Sequence, residues 1–257
     1  MAAPSATEER RRRLSELLAT VVLCRRCPRL VAWREEVALD PPRRHRGEAY
    51  WRRPVPGMGD PDARIMVVGL APAAQGGNRT GRVFTGDRSG DFLFAALHAI
   101  GLATQATSVA PGDGLRLSGL YVAAVNRCCP PDNRPTPEER ENCLPYLVDE
   151  LRILSRVRVV VALGAFAWDG ALRALASVGY RPAEARRPIF GHGTEARVGP
   201  VTLLGCFHPS QQNTFTGKLT PAMLEAVLAR AVELDGAAGR SAEATLHTSA
   251  TRVGRSP

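Results

Sequence analysis

Residues 65–68, Ile-Met-Val-Val, run without a polar interruption into residues 69–90, GLAPAAQGGNRTGRVFTGDRSG. A β-branched apolar run of this kind marks a strand buried on both faces, as in a parallel sheet. The segment after it holds six glycines, one acid and almost no bulky apolar residue before Phe84. A long glycine-rich loop at the carboxyl end of a buried strand is where open α/β sheets bind ligands. Glycine there lets backbone N–H groups approach a phosphate or a flat ring closely. The spacing matches neither G-x-G-x-x-G nor G-x-x-x-x-G-K-[ST], which excludes the common nucleotide loops. An ordinary long surface loop is the alternative.

The same apolar signature recurs. Strand-like runs at 63–69, 119–125, 157–163 and 201–207 alternate with helix-like runs at 90–101, 136–155, 165–177 and 220–235. This alternation predicts one α/β domain, with a parallel sheet between two helix layers, over residues 15–235. Thr136 followed by Pro137 is a helix start, with Thr as the cap and Pro at the first helical position. Residues 1–14 read as a basic tail leading into a helix that carries Leu14, Leu17, Leu18, Val21 and Val22 at helical spacing. Residues 40–57, rich in Pro, Arg and Gly, read as irregular. Residues 236–257 lack apolar periodicity and read as a disordered tail.

The chain of 257 residues carries a formal charge of +9, and Lys218 is its only lysine. Guanidinium makes bidentate contacts to phosphate, so nucleic acid is the first partner to consider. A genome that favours Arg, Ala and Gly codons would give the same arginine bias, though not the net excess. No run of 18 apolar residues and no signal segment are present, which points to a cytoplasmic protein without a membrane span.

Six cysteines are present: Cys24, Cys27, Cys128, Cys129, Cys143 and Cys206. Disulfides are not expected in the cytosol. Cys24 and Cys27 form a C-x-x-C, which suits a metal centre, a redox pair or chance. Cys128, Cys129 and Cys143 bracket a second loop. Four thiolates from these two places suit either a [4Fe–4S] cluster or a tetrahedral zinc site, with one of Cys128 and Cys129 spare. Cys206, in an apolar strand, reads as a core thiol.

The last strand ends in His208-Pro209-Ser210. With parallel strands, His208 lies on the same sheet edge as the 69–90 loop, where it can donate to a developing negative charge or shuttle a proton. Ser210 and the following amides can bind a phosphate. A turn capped by Pro and Ser with an incidental His is the alternative.

Taken in order, these segments resemble the iron–sulfur type-5 branch of the uracil-DNA glycosylase superfamily. The carrying residues are GLAPAA at 69–74, RTGRVFTGD at 79–87, Cys24 and Cys27 with Cys128 and Cys143, PPDNRP at 130–135, and His208-Pro209-Ser210. The similarity spans about residues 15–235. Gln75 stands where the family pattern has His, and the doublet at Cys128 and Cys129 is a second departure, with Cys128 favoured as the ligand.

The resemblance implies a three-layer α/β/α fold with a central four-stranded parallel sheet. It implies a [4Fe–4S] cluster on Cys24, Cys27, Cys128 and Cys143, of structural rather than redox use. It also implies a monomer that removes deaminated bases from DNA by hydrolysing the N-glycosidic bond. In this reading Phe84 stacks on a flipped base. Backbone amides near Ala71 and Ala73 bind its edge, and neutral His208 stabilises charge on the base oxygen. Residues 211–216 enter the duplex gap, and arginines of the N-terminal region and the 69–90 loop hold phosphates. Leu70 replaces the polar residue that related families use to activate water, so Asp87 becomes the candidate for that task. The alternative for Asp87 is a cap on the following helix. The strand at 121–125 lacks a base-reading amide; Asn126, which follows it, is a substrate-binding candidate, though one strand position on its side chain can point elsewhere. A pocket without that amide discriminates less among bases, which predicts hypoxanthine or xanthine as substrates beside uracil. A non-catalytic damage-binding protein of the same fold is the rival reading, and a zinc-stabilised hydrolase using His208 with Ser210 is another.

Overall fold

A computed structural model describes residues 4–252, with side chains described through Gly236. In chain order the elements are α1 (Ala6–Val22), α2 (Pro28–Leu39), β1 (Met58–Gly59), β2 (Ile65–Gly69) and α3 (Gly77–Thr80). Then come α4 (Arg88–Ala99), β3 (Leu120–Ala124), α5 (Pro137–Ile153), β4 (Val159–Leu163) and α6 (Ala165–Ser177). The chain continues through β5 (Glu195–Val198), β6 (Val201–Cys206), α7 (Gln211–Phe215) and α8 (Pro221–Arg252).

The sheet order is β1-β3-β2-β4-β6-β5. The four expected strands are its parallel centre, β3, β2, β4 and β6, and every residue in them is buried. Six strands are present rather than four, because β1 and β5 add antiparallel edges to β3 and β6. One apolar layer packs α1, α5 and α6 on one face through Leu14, Leu147 and Trp168. The other packs α4 and α8 through Phe94, Leu97 and Leu228. This is the three-layer arrangement that the strand and helix alternation predicts.

The expected basic tail over residues 1–14 is corrected. Helix α1 already begins at Ala6, because Ser5 and Glu8 form a reciprocal capping box. That arrangement satisfies two backbone N–H groups at the helix start. Helix α5 begins in the same way at Thr136 and Glu139, as its sequence predicts. Helix α8 passes the expected boundary at residue 235. The tail expected at 236–257 lies, from residue 237 on, outside the residues whose side chains are described. Among the described residues no helix is long and apolar enough to cross a membrane.

Strand β2 is followed in the sheet by β3 on one side and β4 on the other. The chain therefore reverses direction across the sheet at the carboxyl end of β2, which is the place where open α/β sheets leave a crevice.

Candidate active site and cysteine cavity

A cleft of about 610 Å³ opens at that edge. Its size falls in the range of small-ligand pockets, roughly 300–1,000 Å³. The loop after β2 contributes Leu70, Ala71, Pro72, Ala73, Phe84 and Asp87. The segment after β6 contributes His208, Ser210, Gln211 and Gln212. The expected residues Ala71, Ala73, Phe84, Asp87, His208 and Ser210 are thus brought together from two distant parts of the chain.

Asp87 does two things at once. It caps α4, with Oδ1 accepting from the Gly90 N–H at 2.9 Å, so the cap reading holds. It also lines the cleft, so the cap does not exclude a chemical role. Its Oδ2 packs directly on Gly76, where a Cβ would overlap it. Burial raises the Asp87 pKa above its ordinary value, and the Gly90 and Ser89 N–H groups partly oppose that rise. A desolvated carboxylate held by backbone donors is a stronger base than a solvated one.

Phe84 sits at φ +49°, a left-handed conformation that a bulky residue rarely adopts. The conformation turns its ring under β2: a Cβ on Gly69 would stand 2.5 Å from Phe84 Cζ. The same ring lies 6.2 Å from the His208 imidazole, centroid to centroid, at 34°. Phe84 is buried and its exposed remainder faces the cleft, which fits a stacking platform.

Two of the loop arginines, Arg79 and Arg82, are engaged within the protein and not free to hold phosphates, which corrects the expectation for those two. Arg79 donates to the Gln75 carbonyl at 2.9 Å, the Gly86 carbonyl at 2.9 Å and Glu48 at 2.6 Å. Arg82 forms a bidentate pair with Asp113 at 2.8 and 2.5 Å and also donates to Thr85 and Ser108. The Arg82 guanidinium holds the Asp113 carboxyl far below the usual carboxylate range. Both side chains fix the shape of the loop. In the N-terminal helix, Arg10 is paired with Asp62, and Arg12 with Glu9 and Glu16. Arg88 and Arg134 line the cleft.

His208 is held by its own backbone: its carbonyl accepts from Asn213 Nδ2 at 2.8 Å. Burial pushes its pKa down to about 4, so the imidazole is neutral at physiological pH. A neutral ring can donate one hydrogen bond without first losing a proton. Ser210 caps α7 by accepting from the Asn213 N–H, and its hydroxyl still borders the cleft.

Asn126 is not where a base-reading residue would stand. It is fully buried and absent from the cleft wall. Its Nδ2 donates to the Glu139 carbonyl at 3.1 Å, while its Oδ1 has no partner. The residue lies two positions past the end of β3, and its N–H is bonded to the Leu70 carbonyl at 2.9 Å. That bond turns the side chain toward α5. Asn126 therefore joins β3 to α5 under the cleft.

Sequence reasoning missed a third wall. Asp132, Asn133 and Arg134 border the cleft, and Asp132 and Asn133 adopt φ +53° and +54°. Consecutive left-handed residues are carried most easily by Asp and Asn, and that pair at 132 and 133 is the signal that could have found the turn. Gln211, Gln212 and Arg88 were not singled out one by one.

A second cavity lies apart from the cleft. Cys24, Cys27, Cys128 and Cys143 all line it. Cys24 and Cys27 sit at the turn between α1 and α2, Cys128 follows β3, and Cys143 projects from α5. The Cys128 and Cys129 ambiguity has a geometric answer: Cys128 faces the cavity, whereas Cys129 is buried and does not line it. Cys206 belongs to the core beneath α8, as its strand position predicts.

Three of the four cavity sulfurs accept N–H donors. Arg34 Nη1 donates to Cys128 at 2.9 Å, the Arg127 N–H to Cys143 at 3.2 Å, and Asn142 Nδ2 to Cys27 at 3.8 Å. Such donors favour thiolate over thiol. Burial alone pushes the free thiols up, Cys128 to about 11 and Cys143 to about 12. A bound cation is what would ionise them. Among the described residues, no group of three or more His, Cys, Asp and Glu is already drawn together closely enough to hold a metal ion.

Comparison with known proteins places these features. A family model described as "Uracil DNA glycosylase superfamily" matches residues 56–231. A type-5 uracil-DNA glycosylase of Mycobacterium bovis is 52% identical over 225 residues, covering 87% of this chain and 82% of that protein. One from Thermus thermophilus is 51% identical over 218 residues, covering 84% and 96%. One from Pyrobaculum aerophilum is 46% identical over 211 residues, covering 82% and 88%.

Proposed function

The chain belongs to the uracil DNA glycosylase superfamily, in its type-5 branch, and from that premise we propose how its cleft removes uracil from DNA by hydrolysing the N-glycosidic bond. The observation that carries the assignment of roles is the convergence of Phe84, Asp87 and His208 on one cleft at the carboxyl edge of the sheet.

The flipped base enters between the loop after β2 and the segment after β6. Phe84 supports its face, and the backbone at Ala71 and Ala73 meets its edge. As the C–N bond lengthens, negative charge gathers on the base and positive charge on the sugar. Neutral His208 donates to the base oxygen, an oxyanion-hole role worth about 3 kcal/mol. Asp87 orients the attacking water, takes its proton and stabilises the cationic sugar. Leu70 borders the same cleft and supplies no polar group, so Asp87 is the acid the loop offers. Arg88 and Arg134 hold the flanking phosphates.

The loop after β2 lines the cleft with Leu70, Ala71, Pro72, Ala73 and Phe84 and no side-chain amide, Asn126 is turned away, and the amides that border the cleft, Asn133, Gln211 and Gln212, come from its other walls. A base is therefore read there by backbone groups. This supports a range that includes hypoxanthine and xanthine, because no buried side-chain pair is left unsatisfied by a purine.

The four cavity cysteines would hold a [4Fe–4S] cluster. The all-sulfur donor set in one cavity, the N–H donors on three sulfurs and the order of the cysteines in the family pattern support this reading. When bound, the cluster supplies cross-linking: it would tie the α1–α2 turn to the end of β3 and to α5.

Excision assays on oligonucleotides carrying uracil, hypoxanthine or xanthine test the reading, scored as alkali-labile abasic sites. Cleavage of uracil DNA by the wild type and its loss in His208→Ala is the expected result. Wild-type turnover by His208→Ala would remove His208 from the mechanism. Cleavage of uracil DNA alone would remove the broad pocket.

A further inference from the structure

Two arginines are almost wholly enclosed beside the cysteine cavity: Arg34 is 2% exposed and Arg127 is 1% exposed. Their situations differ. Arg127 donates to Glu150 Oε2 at 2.5 Å, and Tyr121 donates to the other oxygen of that carboxylate at 2.9 Å. Its charge is balanced within the core. Arg34 has no carboxylate partner among the described residues. Its guanidinium donates to Cys128 Sγ at 2.9 Å and to the Cys24 carbonyl at 3.4 Å, and its buried Nε has no partner at all.

An enclosed guanidinium without a counter-charge is strongly disfavoured, and arginine stays protonated in proteins. The cavity it lines also holds Cys24, Cys27, Cys128 and Cys143, with Arg25, Arg26 and the Glu150-paired Arg127 on the same wall. Four thiolates around a 2+ metal core carry a net charge of about −2, whether the core is zinc or iron–sulfur. We infer that Arg34 is the built-in counter-charge of a four-thiolate metal centre, holding the anion through Cys128 and slowing loss of its metal. Arg34 is then a positioning and charge-balancing residue and touches no substrate. The inference rests on the thiolate-centre reading given above.

Helix α2 makes the arrangement stiff. The Arg34 carbonyl accepts from Asn78 Nδ2 at 3.1 Å, so the same residue that reaches the cysteines also meets the loop after β2. Positive charge and N–H donors near a cluster sulfur are among the factors that set its potential. Removing Arg34 should make one-electron reduction harder and the midpoint more negative.

The experiment compares purified wild type, Arg34→Lys and Arg34→Met. Metal, iron and acid-labile sulfide are assayed first, with circular dichroism to verify folding. Each protein is then mixed with excess chelator and metal release is followed. Iron-loaded samples are also titrated with dithionite in the presence of mediators. Release about ten-fold faster or more from Arg34→Met is expected, the range seen when groups behind metal ligands are removed. Arg34→Lys, which keeps the charge and loses the planar fork, should fall between. The midpoint should move negative in Arg34→Met and move less in Arg34→Lys. Wild-type release and an unshifted midpoint in a fully loaded Arg34→Met would overturn the counter-charge role alone. Wild type that binds neither iron nor zinc would overturn the thiolate centre and the counter-charge with it. If Arg34→Met does not fold, Arg34→Gln, which removes the charge and keeps an N–H donor, decides: release equal to wild type overturns the role, and faster release supports it.

Discussion

The Asp87 carboxylate rests against the bare Cα face of Gly76, in the space a Cβ at position 76 would fill. The carboxylate can stand between the helix start and the cleft only because its neighbour has no side chain. Gly76 adopts φ −103°, so the requirement is for space and not for a left-handed backbone.

Gly76→Ala should therefore displace Asp87 while leaving the fold intact. A shift of about 1 Å in a catalytic group can cost about 10²-fold in rate. Turnover of a uracil-containing oligonucleotide, beside an unchanged circular dichroism spectrum, checks this. Turnover within two-fold of wild type, on an approximate scale of errors for such sites, would show that the contact does not position Asp87.

Asp87→Asn should separate activity from stability. Asparagine caps a helix as well as aspartate does, so the α4 cap survives. Rate should fall about 10²- to 10⁴-fold, the usual contribution of a general base. The folded-state pKa of Asp87 is raised by burial, so ionising it costs folding energy at neutral pH. That cost is absent below the unfolded value of about 3.9 and complete above the folded pKa. Asp87→Asn should thus be at least as stable as wild type at pH 7, with the difference closing as pH falls. Denaturant midpoints at several pH values measure it.

His208 should remain neutral across the working pH range. Its folded pKa is about 4, so its ring resonances should not titrate between neutral pH and the ordinary histidine value. The unfolded chain takes up that proton near pH 6.5, before the folded protein does. His208 therefore contributes stability that is present above about 6.5 and is lost as pH falls toward the folded pKa. Titration by NMR with a midpoint near 6.5 would contradict the buried neutral ring. Excision by His208→Ala should fall by about 10²-fold.

Cys128 and Cys129 should part company when each is replaced by serine. Cys128 lines the cavity, and Cys129 does not. Cys129→Ser should retain full metal content and lose only packing, whereas Cys128→Ser should lose metal. Equal metal content in the two variants would contradict the assignment of Cys128.

The parts of this fold that burial dictates were legible from the chain. Val159 to Leu163 and Leu120 to Ala124 are apolar runs because both faces of those strands are covered. Edge strands β1 and β5 left no such trace. Met58–Gly59 is two residues long, and Glu195–Val198 is largely exposed, so neither carries an apolar run. The start of α1 was written in Ser5 and Glu8, but the arginines after them read as a tail. At the cleft, His208 was legible because it ends a buried strand, and Asp87 because it is the one acid of the loop that follows another. Asn126 was misplaced because its side chain direction depends on one backbone bond to Leu70. Arg79 and Arg82 looked like phosphate ligands because their acceptors, Glu48 and Asp113, are distant in sequence.

The stretch after β3 serves both cavities. The Asn126 N–H is tied to Leu70 at the cleft, the Arg127 N–H to Cys143 at the sulfur cavity, and Asp132, Asn133 and Arg134 return to the cleft wall. Residues 126–134 thus border both compartments, so the backbone path that shapes the wall of the cleft is the same one that shapes the wall of the sulfur cavity.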